Sequence, residues 1–333
     1  MADGTQKALA NMVTIVPESE IAGLMTAEAA FEAVEATFAA MNTGAAYNFP
    51  VIREAIGHAD ALYGFKSGFD RQSLALGLKS GGYWPGNAER GLTNHQSTVV
   101  LFDADTGRVK ALVGGNLLTA LRTAAASAVS IRHLASPEAK VLGMVGAGHQ
   151  SAFQMRAAVG QRRFERVVGW NYHPEMLDRL ASTAAELGLP FEAVSREDLC
   201  AQSDVIVTIT SSQDAQLMAD WVRPGTHLAC MGTDTRGKKE VDPALLARAK
   251  VFTDEVAQSI TIGEAQHAVA QGLITESDIT EIGAVINGHH VGRSDPQDIT
   301  LFDGTGVGLQ DLAVAEKVVA LAIAQGIAQQ VAF

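Results

Sequence analysis

Apolar residues recur at helical spacing from Thr26 to Asn42, where Phe31, Val34, Phe38 and Met41 share one face, Thr26 is placed to cap and Gly44 to stop the helix. Short apolar runs then predict strands at Ala61–Phe65, Leu74–Lys79 and Ser97–Phe102. The turn from Asp103 to Gly107 leads to Val109–Val113, which reads as the second arm of a hairpin. This first part reads as an antiparallel sheet with a helix.

From Asn116 the rhythm changes. An Ala-rich helix, Asn116 to Leu134, precedes a strand at Val141–Val145, and strand and helix patterns alternate from there. Further strands are predicted at Arg166–Trp170, Asp204–Thr210, Thr226–Met231 and Lys250–Thr253, with a helix at Glu175–Leu187. Apolar strands alternating with helices imply a parallel sheet covered on both faces. The last amphipathic pattern, Gly308 to Gln325, reads as a helix with no strand after it, packed back against the N-terminal part. The predicted fold is therefore α/β: a parallel-sheet domain of nucleotide-binding type, 121–306, inserted into an α+β domain made of 1–120 and completed by 307–333.

A length of 333 residues suits two such domains. Acids outnumber bases 37 to 25, for a net charge of −12, which argues against nucleic-acid or acidic-membrane partners while leaving a small anionic ligand open. Two cysteines, Cys200 and Cys230, lie in apolar stretches and read as core residues. No segment reaches the roughly 18 uninterrupted apolar residues of a membrane span. The start, MADGTQKALANM, reads as a frayed tail rather than a secretory signal, and the protein as soluble and cytoplasmic. His289 and His290 lack partners at ligand spacing, so no metal site is predicted.

The segment Val141-Leu-Gly-Met-Val-Gly-Ala-Gly-His-Gln-Ser151 carries a chemical signature, a strand running through a Gly-rich turn into a helix. Gly146 permits the tight turn, Gly148 lets backbone N–H groups approach a pyrophosphate, and the small Ser151 allows helix and strand to pack closely. Ala147, His149 and Gln150 complete the turn at a helix N-terminus, which favours phosphate. Asn171, at the end of the next strand, replaces the acid that grips a ribose hydroxyl; no Arg follows it, so NAD(H) is preferred and NADP(H) stays possible. A second Gly-rich run, Gly232 to Lys239, nearly spells a P-loop. Lys239 stands where a hydroxyl must hold magnesium, and Asp242-Pro243 interrupts the helix that should follow, so it is not an ATPase loop.

Taken together, these motifs resemble the ornithine cyclodeaminase/mu-crystallin family from about Val13 to Gly326. The resemblance is carried by Leu76-Gly-Leu-Lys79, by Asn94 to Asp103, by Leu118-Thr-Ala-Leu-Arg-Thr-Ala-Ala125 and by Val145 to Gln150. It is carried also by Gly232-Thr-Asp234 with Gly237-Lys238, and by Asp298-Ile-Thr-Leu-Phe302 with Asp311. It implies a homodimer or higher assembly, with the N-terminal part and the last helix as the substrate and dimerisation domain, and a nicotinamide cofactor on an inserted Rossmann domain. It also implies hydride exchange at the α-carbon of an amino acid, a small anionic amino or imino acid being the substrate. By the same resemblance Arg53, Lys79 and Arg122 form the cationic substrate grip. Asp234 is the catalytic carboxylate with Lys79 beside it. Thr210, Met231, Gly232, Thr233 and Lys238 are cofactor contacts. Two departures stand out. Gly304 sits where the family usually has a Ser beside the cofactor, and Asn94 replaces a small hydroxyl residue near the substrate.

Each of these residues also has a purely structural reading. Arg53 reads as a surface charge, Lys79 as a strand-end lysine, Arg122 as half of an interdomain ion pair, Asp234 as a turn cap, and His95 as a packing residue. Chemically, Arg offers a bidentate fork and Lys a mobile point charge to a carboxylate. Three cations with Asn94, His95 and Gln96 supply more anion donors than one carboxylate uses, which favours reduction of a dicarboxylic imine such as iminosuccinate to aspartate. Ornithine cyclodeamination, alanine dehydrogenation, cyclic ketimine reduction, and a non-catalytic dinucleotide-binding protein like mu-crystallin remain alternatives.

Overall fold

The computed structural model describes residues 12–333. Residues 1–11 of the expected tail lie outside them, and Met12, the tail's last residue, already begins a strand. Residues up to Arg122 together with Val307–Phe333 form one compact unit, and Thr123–Gly306 forms the other.

The first unit holds an eight-stranded sheet. Its strands are β1 (Met12–Val16), β2 (Ala46–Asn48), β3 (Ile52–Ala55), β4 (Leu62–Asp70), β5 (Ala75–Tyr83), β6 (His95–Phe102), β7 (Val109–Gly114) and a C-terminal strand, Gln329–Ala332. The order runs C-terminal strand, β1, β7, β6, β5, β4, β2, with β3 also paired to β4. All pairs are antiparallel except β1 with β7, so the expected antiparallel sheet holds with one parallel exception. The expectation of no strand after the last helix is overturned. Gln329–Ala332 pairs with β1, but all four of its side chains are exposed, so it shows no alternation to read.

The helix Ala27–Asn42 forms where its apolar face predicts, and Thr26 Oγ1 accepts the Ala29 N–H at 3.1 Å, a cap of about 1 kcal/mol. The helix Gly308–Ala324 packs on β4 and β5 as expected. Small residues let it come close. A Cβ at Gly308 would lie 2.6 Å from the Ser67 nitrogen, and one at Gly77 would lie 2.9 Å from Leu312. The helix Asn116–Leu134 is seated by Glu18, whose carboxylate accepts the N–H groups of Asn116 and Leu117 at 3.1 and 2.7 Å.

The second unit holds a wholly parallel sheet of eight strands. They are β8 (Val141–Val145), β9 (Arg166–Trp170), β10 (Phe191–Ala193), β11 (Val205–Thr208), β12 (His227–Cys230), β13 (Lys250–Thr253), β14 (Ile279–Glu281) and β15 (Thr300–Asp303). The order β10-β9-β8-β11-β12-β15-β13-β14 is doubly wound about β8, a Rossmann-type arrangement. The predicted helix at Glu175–Leu187 is found at Leu177–Glu186 behind a one-turn 3₁₀ segment. Cys200 and Cys230 are fully buried and unpaired, as expected of core residues. No described helix is long and apolar enough to cross a membrane.

Candidate active site

In the first unit, Lys79 near the middle of β5 and Arg122 on the helix Asn116–Leu134 meet at one carboxylate. Asp311, in the first turn of the last helix, lies 2.8 Å from Lys79 Nζ through Oδ2 and accepts from Arg122 Nε at 3.0 Å through Oδ1. All three are buried, Asp311 completely. Lys79 Nζ also donates to Thr119 Oγ1 at 3.3 Å, and Arg122 Nη1 to Gln310 Oε1 at 3.4 Å. Removing one partner from such a cluster costs about 3–5 kcal/mol, because it strands the others as uncompensated charges.

Burial pushes the Lys79 ammonium down to about 7; the Arg122 charge adds to this and Asp311 opposes it. Burial alone would raise the Asp311 carboxyl, but Arg122 and Lys79 outweigh it and hold the group below the usual carboxylate range. His95, at the start of β6, is pushed down to about 4 by burial and then by Lys79 and Arg122, so it is neutral at physiological pH. Arg53, on β3, contributes to the same field at His95. Asn94, just before β6, bonds on both sides of its amide. Its Oδ1 accepts the Ala88 N–H at 3.0 Å and its amide donates to Tyr83 Oη at 3.2 Å, which makes it a brace of the loop before β6.

The second unit carries the Gly-rich turn directly after β8. Gly146 has φ +107°, and a Cβ there would lie 2.5 Å from the Ile209 carbonyl oxygen, so only glycine fits. Gly148 faces open space, so the backbone of the turn is accessible at this position. His149 and Gln150 lead into the helix Ser151–Val159. Asn171 Oδ1 accepts the Ala147 N–H at 2.9 Å and its amide donates to the His173 carbonyl at 2.8 Å. It thus ties the end of β9 to the Gly-rich turn.

The remaining predicted positions of this unit cluster beyond the carboxyl ends of β11 and β12. The N–H groups of Thr210 and Gly232 donate to the Glu240 carboxylate at 2.6 and 2.8 Å, and the Thr233 hydroxyl bonds Glu264. Asp234 Oδ1 lies 2.9 Å from Lys238 Nζ, four residues on, and accepts the Thr235 hydroxyl at 3.1 Å, so the carboxylate bonds within its own loop. Gly304 follows β15, and a Cβ there would lie 2.6 Å from both Sδ and Cε of Met231. The Met231 side chain therefore fills the space that a larger residue at 304 would need.

Sequence reasoning missed Asp311 as a partner of the cations, and Glu240 and Glu264 altogether. An acid in the first turn of an otherwise apolar helix was the available signal for Asp311. No group of His, Cys, Asp and Glu suited to a metal ion occurs among the described residues.

The sequence pattern of the ornithine cyclodeaminase/mu-crystallin family matches residues 10–325. The chain is 68% identical over 317 residues to the iminosuccinate reductase of Paracoccus denitrificans, covering 95% of this chain and 99% of that protein. The crystal structure of the Paracoccus denitrificans iminosuccinate reductase in complex with NAD+ superposes with a TM-score of 0.93, at 67% identity, over 97% of this chain and all of that one. An archaeal alanine dehydrogenase dimer with bound NAD gives a TM-score of 0.91 at 29% identity, covering 97% and 99% of the two chains. On its sequence, and on a Rossmann-type sheet carrying the expected Gly-rich turn, this chain belongs to the ornithine cyclodeaminase/mu-crystallin family.

Proposed function

We propose that this chain is an NAD(H)-dependent oxidoreductase that reduces an α-imino acid to an L-amino acid, with iminosuccinate, giving aspartate, as its substrate. The observation that carries the reading is the buried cluster of Lys79 and Arg122 on the single carboxylate of Asp311. Two cations on one acid leave positive charge in a desolvated place, which suits a substrate carboxylate. The high identity to a reductase of iminosuccinate supports the choice of substrate.

In this reading Arg53, Lys79 and Arg122 fix the substrate carboxylates, and neutral His95 adds a hydrogen bond without a second repulsive charge. Each charge-assisted bond is worth about 1.5–3 kcal/mol. The turn from Gly146 to Gln150 fits a dinucleotide, since Gly146 is sterically required and Gly148 faces open space. Asn171, Thr210, Met231, Gly232, Thr233, Lys238 and Gly304 would line the remainder of the dinucleotide's path. When bound, NADH supplies the hydride for the α-carbon. Asp234, entering the step as the neutral acid, passes its proton to the imine nitrogen and is left as the carboxylate beside Lys238, so the C=N bond becomes CH–NH with charge and atoms balanced. We further place the enzyme in the cytoplasm as a homodimer; an archaeal relative of the same fold is a dimer.

The test follows NADH absorbance with ammonia and a panel of 2-oxo acids. NADH loss that needs both ammonia and oxaloacetate, and is slower with pyruvate or glyoxylate, is the expected result. Release of proline and ammonia from ornithine without net NADH change would replace this reading with cyclodeamination. Tight NADH binding with no turnover of either kind would make the chain a binding protein. Light scattering of the purified protein checks the dimer.

A further inference from the structure

The segment from Met231 to Val241 carries Asp234, yet apart from one isolated bridge at Val241 it contains no strand or helix. It is held instead by side chains. Glu240 accepts the Thr210 N–H at 2.6 Å on Oε1, and the Thr208 hydroxyl at 2.6 Å and the Gly232 N–H at 2.8 Å on Oε2. Glu264, beside the helix Ala265–Ala270, accepts the Glu240 and Val241 N–H groups at 2.7 and 2.8 Å on Oε1, while Oε2 meets the Thr233 hydroxyl. Two residues on, Gln266 accepts the Gly237 N–H at 2.7 Å and donates to the Lys238 carbonyl at 3.2 Å. Both glutamates are essentially inaccessible to solvent. A Cβ at Gly232 would lie 2.5 Å from Glu240 Oε1, so the glycine leaves the room this carboxylate needs.

We infer that Glu240 and Glu264 are positioning residues for Asp234 and the Met231–Thr233 backbone, and that they work as an unequal pair, Glu240 as the anion and Glu264 as the acid. The inequality follows from the donors. Burial raises the Glu240 carboxyl, but both of its oxygens receive backbone N–H groups, and these donors favour the anion. Glu264 receives N–H groups on Oε1 alone, and its Oε2 faces a hydroxyl, which can accept as well as donate. Two neighbouring buried carboxylates do not both ionise cheaply. In accord with this, burial and then the Glu240 charge push the Glu264 carboxyl up to about 8. The other titratable groups acting on Glu264 are Asp303, raised to about 7 by burial, and Cys230, whose thiol burial holds well above its ordinary range. Lys238 Nζ reaches the Gly232 carbonyl at 3.4 Å and pairs with Asp234 rather than with either glutamate, so departure of the Glu264 proton leaves two adjacent buried carboxylates and rising pH loosens the Thr233 end of the clamp.

This inference rests on assigning Met231–Thr233 to the dinucleotide, and NADH affinity therefore tests it separately from turnover. NADH fluorescence titrations of the wild-type protein from about pH 6.5 to 9.5 should show affinity falling about tenfold or more on the alkaline side. The E264A variant should bind weakly throughout. The E264Q variant, whose amide nitrogen donates to Thr233 as the protonated acid does, should restore neutral-pH affinity to within about threefold and lack the alkaline loss. The E240Q variant should fail, because its amide nitrogen would face a backbone N–H. An alkaline loss retained in E264Q, or E240Q behaving like E264Q, would overturn the inference. Should E264A not fold, judged by circular dichroism, the comparison of E264Q with wild type decides alone. Failure of the wild-type protein to bind NADH at any pH sinks the functional reading itself and the inference with it, whereas NADH binding without turnover leaves the pH comparison decisive.

Discussion

Lys79 and Asp311 stand 232 residues apart in the chain, yet their charged atoms lie 2.8 Å apart in a buried site. With Lys79 in the proposed substrate grip, the pair would set the pH range of substrate binding. Lys79 is lowered to about 7, so it is charged below that pH and neutral above it. Asp311 opposes the lowering, and D311N therefore moves the ammonium further down. Inhibition constants for a saturated dicarboxylate should rise above about pH 7 in the wild type, and the rise should begin about one unit lower in D311N. Coincident profiles would show that Lys79 does not bind the carboxylate.

Gly146 and Gly148 separate two roles for glycine in the nucleotide turn. An Ala at 146 must adopt φ +107° against the Ile209 carbonyl, a strain of about 1–3 kcal/mol, so G146A should lower both melting temperature and NADH affinity. An Ala at 148 meets open space and should leave melting unchanged while weakening NADH about tenfold or more, by occupying the path of the pyrophosphate. Calorimetry and fluorescence titration on the two variants settle the matter. Unchanged NADH affinity in G148A would mean that the dinucleotide does not pass there.

Asp234 is held near Lys238 on a clamped loop, so an amide at 234 should sit in the same place. The D234N variant should bind NADH within about threefold of wild type and lose about 10²–10⁴ in kcat. Stopped-flow and steady-state kinetics check this, and kcat within a few-fold of wild type would remove Asp234 from the proton transfer.

Long elements were legible in the sequence because burial imposes a period. The helix Asn116–Leu134 and the strands Val141–Val145, Arg166–Trp170 and Lys250–Thr253 are found where their apolar residues place them. The three-residue strands Phe191–Ala193 and Ile279–Glu281 have no room to show one. The Gly-rich turn was legible because its chemistry is local. Asp311, Glu240 and Glu264 were not, because each bonds groups far away in sequence, many of them backbone N–H groups that no residue type announces.

Asp303, at the end of β15, offers a check on this buried acidity that is independent of catalysis. Its Oδ2 accepts the Ser259 hydroxyl at 2.5 Å and the Ala265 N–H at 3.3 Å, while Oδ1 is buried without a hydrogen bond. Burial raises the carboxyl from 3.8 to about 7. For an acid raised on folding, the native state binds more protons than the unfolded chain between those two values. The stability it contributes is therefore complete below the lower value and lost as pH climbs through the upper one. D303N should start less stable at pH 5, because its amide nitrogen takes the unbonded Oδ1 position. It should then lose about 2–3 kcal/mol less than wild type between pH 5 and pH 8 in urea unfolding. Asp303 also raises the Glu264 carboxyl, so D303N lowers that group as well, and part of the difference between the two profiles comes through Glu264. Parallel pH profiles would show that Asp303 is already ionised at pH 5 in the folded protein.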